Sequence, residues 1–203
     1  MIVQPIPVGT RLIDTVADMG PSALAAARDC GAEGIIAYLG GNLTRDLIAN
    51  AFALRLGIVP VNFSRGNAWA PSAQLGELDA TTSTKRLVDL GVPTVGLYDW
   101  IDLEGCGSDP TAYLNACGRI VADQGRKAGL YVGSGGLLSG AQLYALPAFT
   151  GYWRSLSRGI PEPQCGFMLS QVYPSTMCGG TLVDFDFAAR DFEGRAATWL
   201  FPD

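Results

Sequence analysis

The sequence of 203 residues contains no histidine. This absence excludes Ser-His-Asp and Cys-His nucleophiles, histidine-ligated zinc sites and the histidine general base. The phosphate-binding patterns GxGxxG and GxxxxGK[ST] are also missing, which removes the most common nucleotide-binding interpretation, and no cofactor is expected. Any catalysis by this chain must therefore depend on carboxylates, tyrosines or the backbone.

Charge is scarce as well, because charged residues make up 16% of the chain and hydrophobic residues 48%. The net charge is −5 and no run of Lys and Arg exceeds two neighbours, so nucleic acid is not an expected partner. No apolar run approaches the ~20 residues that cross a bilayer, so membrane insertion is not expected. The composition, free of charge blocks, indicates one globular domain over residues 1–203.

The first residues, MIVQPIPVGTR, lack the basic and apolar regions of a secretory signal. We therefore expect cytoplasmic accumulation with release by lysis, or association with a virion. The five cysteines form no CxxC pair, and an odd number without a signal favours free, buried thiols. One disulfide, such as Cys165–Cys178, is the alternative.

Residues 1–149 alternate between β-prone and helical segments. The helical segments begin at residues such as Pro21 or the N-cap candidate Thr44, and several end at glycine. Strands are predicted over 11–16, 34–39, 58–64, 94–105 and 129–134, and helices over 21–31, 44–57, 80–91, 109–129 and 138–149. Five βα units of this kind predict a parallel sheet or barrel. The glycine-rich GSGGLLSG segment (133–140) is interpreted as an ordinary loop between a strand and a helix.

The pattern changes after residue 149, where strands are predicted over 151–157, 166–173 and 181–188, followed by a helix over 189–200. The gaps between these strands are only about eight residues, whereas a parallel crossover needs a dozen or more. At least one of the last strands is therefore expected to run antiparallel. The fold class is α/β, an irregular TIM-type barrel with five βα units, three strands and a C-terminal helix. An open doubly wound sheet is the alternative.

Acidic residues stand at the ends of the predicted strands. Asp14 ends the first, Asp102 and Glu104 end the fourth, and Asp184 and Asp186 lie in the eighth. Acids two residues apart on a strand point to the same face. Each acid alone is also explained as a cap, a loop residue or an exposed strand residue. A closed barrel, however, gathers the strand ends at one rim, where active sites of such barrels lie.

Carboxylates facing each other across a cleft are the groups that hydrolyse glycosidic bonds. One protonates the leaving oxygen, and another attacks or stabilises the sugar cation. Repulsion between neighbouring acids favours the protonated form that a general acid needs. A magnesium or calcium site made of carboxylates is the rival functional interpretation, although no EF-hand spacing supports it.

The chain resembles, over nearly its whole length, the glycoside hydrolase family 25 lysozymes of the Chalaropsis type and the related domain of unknown function 1906. The family barrel has five βα units followed by three strands. Asp14 in LIDTV matches the family's strand-one Asp, and Asp102 and Glu104 match its Asp-x-Glu. Asp184 in VDFD matches the Asp of its last strand.

Three positions depart from the family pattern. The strand-three histidine is Asn62 here, followed by Phe63, and the strand-seven tryptophan is Ser170, followed by Gln171. The final Asn of the last strand is Asp186. The acidic residues expected to be catalytic match the family more closely than the residues expected to bind the sugar.

The resemblance implies cleavage of the β-1,4 bond between N-acetylmuramic acid and N-acetylglucosamine in peptidoglycan or another amino-sugar polysaccharide, without a metal. An activity of this kind is typical of a phage endolysin. Glu104 would donate the proton, Asp102 would orient the acetamido group or a water, and Asp14 and Asp184 would tune Glu104 and hold the sugar. Predicted substrate-binding residues are Asp186, Asn62, Gln171 and the aromatic residues Tyr38, Tyr98, Trp100, Tyr131, Trp153 and Tyr173. About half of these aromatics are expected to be structural, because a barrel core also uses them.

A catalytically inactive barrel that serves as a glycan-binding or structural module, for instance in a phage particle, is the competing hypothesis. The altered residues around the acids favour this hypothesis. The sequence does not specify an oligomeric state.

Overall fold

The computed structural model describes residues 1–62 and 65–203, with the backbone alone for residues 173 and 174. Within these residues the strands are β1 (Ile2–Pro5), β2 (Arg11–Asp14), β3 (Gly34–Tyr38), β4 (Gly57–Val61), β5 (Tyr98–Leu103), β6 (Lys127–Val132), β7 (Phe149–Arg154), β8 (Leu169–Cys178), β9 (Thr181–Ala188) and β10 (Thr198–Phe201). The helices are α1 (Pro21–Asp29), α2 (Arg45–Ala53), α3 (Ala73–Leu90), α4 (Thr111–Asp123) and α5 (Gly140–Tyr144). No described helix is long and apolar enough to cross a bilayer.

Strands β2 to β9 close into a barrel in chain order, because β2 pairs with both β3 and β9 and β4 pairs with β5. Strands β2 to β8 run parallel, and β9 runs antiparallel to both of its neighbours. A helix follows each of β2 to β6, and none of the described residues between β7 and β9 is helical. The predicted irregular TIM-type barrel is confirmed, and the open sheet is excluded.

The predicted C-terminal helix over 189–200 is wrong. Asp191 accepts hydrogen bonds from the backbone N–H groups of Glu193 and Arg195, and Gly194 has a φ of +80°, so the chain turns here. The β-prone residues that follow form β10, which pairs antiparallel with β1 and with the start of β4. Local composition suggested a helix, but pairing with the N-terminal strand determines the outcome.

Two helix boundaries differ from the prediction by six residues or more. Helix α3 begins at Ala73, after an N-cap in which Ser72 accepts from the N–H of Leu75, and not at residue 80. Helix α4 ends at Asp123 and not at 129, because Gly125 has a φ of +71° and β6 begins at Lys127.

The core has three parts, and strand alternation separates them. Side chains inside the barrel include Leu12, Ile36, Val59, Trp100 and Trp153, all buried. One outer layer packs α1 and α2 against the strands, and another packs α4 and α5 against β5 to β7. Inward positions near the C-terminal ends of the strands are therefore the places where polar side chains can enter the barrel.

Cys30 at the end of α1 is disulfide-bonded to Cys178 at the end of β8. The suggested pair Cys165–Cys178 is wrong, since Cys165 is a buried free thiol, like Cys106 and Cys117. The disulfide joins residues 148 positions apart, a relation that spacing alone does not reveal. It attaches the β8–β9 hairpin to the first helix.

A buried ion pair lies on the outer face of β5. The side chains of Asp99 and Arg126 are 1% and 0% exposed, and their nearest N and O atoms are 2.5 Å apart. Asp99 also accepts from Ser83 Oγ at 2.9 Å and from Asn62 Nδ2 at 3.0 Å. These contacts hold α3 and the end of β4 against the strand that carries Asp102.

Arg126→Met should lower the free energy of unfolding by about 3–5 kcal/mol, because it leaves the buried Asp99 carboxylate without its cation. Lys85→Met is the matched control, since Lys85 pairs with Asp89 at an exposed site on α3, and should change stability by less than about 1 kcal/mol. Urea denaturation at pH 7 measures both. Equal, small changes would show that the buried pair does not hold β5 in place.

Candidate active site

The four acids predicted to be catalytic lie at one rim of the barrel. Asp14 is the last residue of β2, Asp102 lies near the end of β5, and Glu104 follows that strand directly. Asp184 on the antiparallel β9 pairs in register with Asp14. Because β2 and β5 are parallel members of one barrel, all four acids lie at the C-terminal rim.

Electrostatic interactions show that these acids share one cleft. Burial raises the pKa of Asp14 to about 7, the hydrogen bond from Tyr38 opposes this rise, and the charges of Asp184 and Glu104 add to it. The pKa of Tyr131 is raised by burial and then by Glu104, Asp102 and Asp14, in that order. The acids therefore lie close to one another and to Tyr38 and Tyr131 at this rim.

Glu104 is the partly exposed acid directly after β5. Burial raises the pKa of its carboxyl group, in the direction that the sequence predicts for a general acid. The Trp69 indole donates to the Glu104 backbone carbonyl at 2.8 Å and holds this segment. Glu104 is thus both accessible and biased toward its protonated form.

Gly133 provides the space for the Glu104 side chain. A Cβ on Gly133 would lie 2.5 Å from Glu104 Cβ and 2.6 Å from its Oε2. The sequence analysis missed both Gly133 and Trp69, although Gly133 opens the GSGGLLSG segment that was interpreted as an ordinary loop. A glycine directly after a barrel strand was the available signal for a close approach.

Gln171 is a positioning residue in this arrangement. Its Oε1 accepts from Tyr131 Oη at 3.2 Å and from the Leu156 N–H at 3.1 Å, and its Nε2 donates to Asp184 at 3.1 Å. The Ser175 hydroxyl also donates to Asp184. Gln171 therefore fixes Tyr131 and Asp184, and its amide is occupied by protein groups.

An open cavity of about 200 Å³ lies beside Asp14 and Asp184, and its lining also includes Thr15, Val16, Tyr38, Ser175, Leu182 and Val183. A larger cavity of about 520 Å³ lies along α3 and touches none of the four acids. We assign the candidate site to the rim around the smaller cavity, because Asp14 and Asp184 line it; Asp102 and Glu104 are not among its described lining residues. The larger cavity is a shallow surface groove.

Several predicted sugar-binding residues do not reach the cleft. Trp100 and Trp153 are 0% and 1% exposed and pack inside the barrel, as does Tyr98. Asp186 is also 0% exposed and accepts from Trp153 Nε1 at 2.6 Å. The predictions for these residues fail because inward positions below the rim belong to the core.

Asn62 also lies elsewhere, since its amide donates to Asp99 on the outer face of β5. Tyr38 and Tyr131 are partly exposed and remain available to a ligand. Phe63 and the side chain of Tyr173 lie outside the described residues. About half of the predicted stacking aromatics are thus structural, as the sequence analysis expected.

Comparisons with known proteins relate this geometry to solved structures. No family model and no curated protein matches the sequence. An uncharacterised protein of B. stearothermophilus shares the fold with a TM-score of 0.73 and 17% identity, covering 90% of this chain and 97% of its own. The Tat-secreted protein Rv2525c of Mycobacterium tuberculosis, solved with L-tartrate, matches with a TM-score of 0.64 and 21% identity. The match covers 91% of this chain and 97% of that protein.

GHIP of Streptococcus pneumoniae, a glycosyl hydrolase 25 that participates in host cell invasion, gives a TM-score of 0.60 at 16% identity, covering 89% of this chain and 87% of that protein. At such identities the likeness concerns the fold. The chain therefore has a barrel of the kind found in a glycosyl hydrolase 25.

Gly133→Ala should displace the Glu104 carboxyl group and lower the free energy of unfolding by about 1–3 kcal/mol, because the added methyl group overpacks a filled site. The Glu104 carboxyl ¹³C shift and urea denaturation measure the two effects. Gly66→Ala is the control, since a Cβ there meets nothing within 4 Å, and should stay within about 0.5 kcal/mol of the native protein. An unchanged Glu104 signal in Gly133→Ala would contradict the packing argument.

Proposed function

We propose that this protein is a glycoside hydrolase that cleaves the β-1,4 bond between N-acetylmuramic acid and N-acetylglucosamine in peptidoglycan. The observation that carries the proposal is the partly exposed Glu104, with its raised pKa, beside Asp14, Asp102 and Asp184 at the barrel rim. The glycosyl hydrolase 25 among the fold neighbours supports a polysaccharide substrate.

In this mechanism Glu104 protonates the glycosidic oxygen as the bond breaks. Asp102, on the same strand and face, orients the substrate acetamido group or the attacking water. Asp14 and Asp184 lie on the adjacent strands β2 and β9 and provide negative charge where the sugar ring becomes positive. Tyr38 and Tyr131 offer partly exposed rings beside the sugar.

The burial of Trp100 and Trp153 favours a second candidate function. Without these indoles the cleft has fewer aromatic surfaces on which sugar rings stack, which favours a structural module without activity over a glycan-binding module. Release by lysis or association with a virion stays a prediction under both functions.

Glu104→Gln should reduce the release of muropeptides from purified peptidoglycan by at least about 10²–10⁴-fold, because the amide keeps the shape but has no proton to transfer. Glu77→Gln on the surface of α3 is the matched control and should keep native activity. Mass spectrometry of the soluble products measures the release.

Equal release by the native protein and Glu104→Gln would remove Glu104 from the mechanism. No release by the native protein from several peptidoglycan types would favour the inactive module.

Glu104→Gln should also change the pH dependence of stability. Because the folded-state pKa of Glu104 is raised, the folded protein binds its proton more tightly than the unfolded chain does. Native stability therefore falls as pH rises from the unfolded pKa near 4.3 through the folded value. The variant lacks this term, so it should gain stability relative to the native protein between pH 4 and 8. Thermal unfolding across that range measures the gain, and a constant difference would contradict it.

A further inference from the structure

A second carboxyl group lies buried beneath the candidate site. Asp186 is 0% exposed, and the register of β2 and β9 pairs Asp14 with Asp184 and Leu12 with Asp186. Asp14 and Asp186 are therefore diagonal neighbours across two strands, a relation that keeps side chains within reach of one another. Both point into the barrel, where water does not reach Asp186.

In each of these two carboxyl groups, one oxygen accepts a hydrogen bond and the other does not. Asp14 Oδ2 accepts from Tyr38 Oη at 3.2 Å, and Asp186 Oδ1 accepts from Trp153 Nε1 at 2.6 Å. Among the described residues, the buried atoms Asp14 Oδ1 and Asp186 Oδ2 have no hydrogen-bond partner. A buried polar atom without a partner destabilises the fold, and it does so more strongly when it is charged.

One proton satisfies both atoms. We propose that Asp186 is a buried acid in its protonated form, whose Oδ2–H donates to Oδ1 of the Asp14 carboxylate. Asp14 then has two donors, the Tyr38 hydroxyl and Asp186, and both stabilise its carboxylate form. Asp186 acts as a positioning residue that contacts Asp14 and lies too deep to touch a ligand.

The charged and titratable groups around the pair agree with a single shared proton. Asp14 faces Tyr38 on β3, Asp184 on β9 and Glu104 after β5. Asp186 faces Asp14, Asp184 and the Trp153 indole. Burial is the largest cause that raises the pKa of each acid, and the negative neighbours add to it. No cation among these neighbours compensates a second charge, so a proton must.

Asp186 also marks a departure from the resemblance, in which the family has Asn at this position. An Asn side chain donates through Nδ2 and accepts through Oδ1, as the protonated Asp186 does, but it cannot lose a proton near neutral pH. The aspartate therefore makes the hydrogen bond to Asp14 dependent on pH. This inference does not rest on the proposed activity, because it concerns the protein without substrate.

Carboxyl ¹³C NMR of aspartate-labelled protein tests the proposal between pH 3 and 9. In the native protein, the signals of Asp14 and Asp186 should both respond to loss of the shared proton, in a step that lies above the range of an ordinary aspartate. In Asp186→Asn that step should vanish and Asp14 should titrate alone at lower pH. Asp184→Asn is the control, since it removes a neighbouring charge but leaves the proton, so the step should persist at a lower pH.

Trp153→Phe gives a second test that does not need Asp186→Asn to fold. The indole bond stabilises the Asp186 anion, so its loss should move the shared step to higher pH. A native spectrum in which both acids are ionised at pH 5 would overturn the proposal. A shared step that survives unchanged in Asp186→Asn would overturn it as well.

Discussion

Closure of the barrel by the antiparallel strand β9 is the constraint on which the candidate site depends. The tight β8–β9 connection is too short for a parallel crossover, so β9 must reverse direction. The reversed strand pairs with β2 and brings Asp184 opposite Asp14. Without this pairing β2 and β8 would be the edges of an open sheet, and Asp14 would lie on an edge strand without Asp184 opposite it.

The same closure creates an electrostatic problem. Acids gathered at one rim repel one another, and burial disfavours their charged forms, as the raised pKa of Asp14 shows. Tyr38, Gln171 and Ser175 donate hydrogen bonds to Asp14 and Asp184 and offset part of this cost. A rim that keeps such acids together at the expense of stability is typical of a site that uses them.

Sequence reasoning predicted the barrel and the position of the acids, because alternating strands and helices and the strand-end acids are local patterns. It failed where contacts between residues far apart in the chain determine the structure. β10 forms because β1 lies beside it, and Cys178 pairs with Cys30 from 148 residues away. Trp153 is buried because its inward position lies one layer below the rim, a depth that alternation does not specify. The face of the strand on which a side chain lies was predictable from alternation, but its depth inside the barrel was not.

The central claim is that Glu104 delivers a proton to a glycosidic oxygen in the acid-lined cleft. A crystal structure of Glu104→Gln with an oligosaccharide of alternating N-acetylglucosamine and N-acetylmuramic acid tests it most directly. The account predicts the amide of residue 104 within about 2.6–3.2 Å of the glycosidic oxygen, with one sugar ring beside Asp14 and Asp184. An oligosaccharide bound away from these acids, or none bound at all, would contradict it.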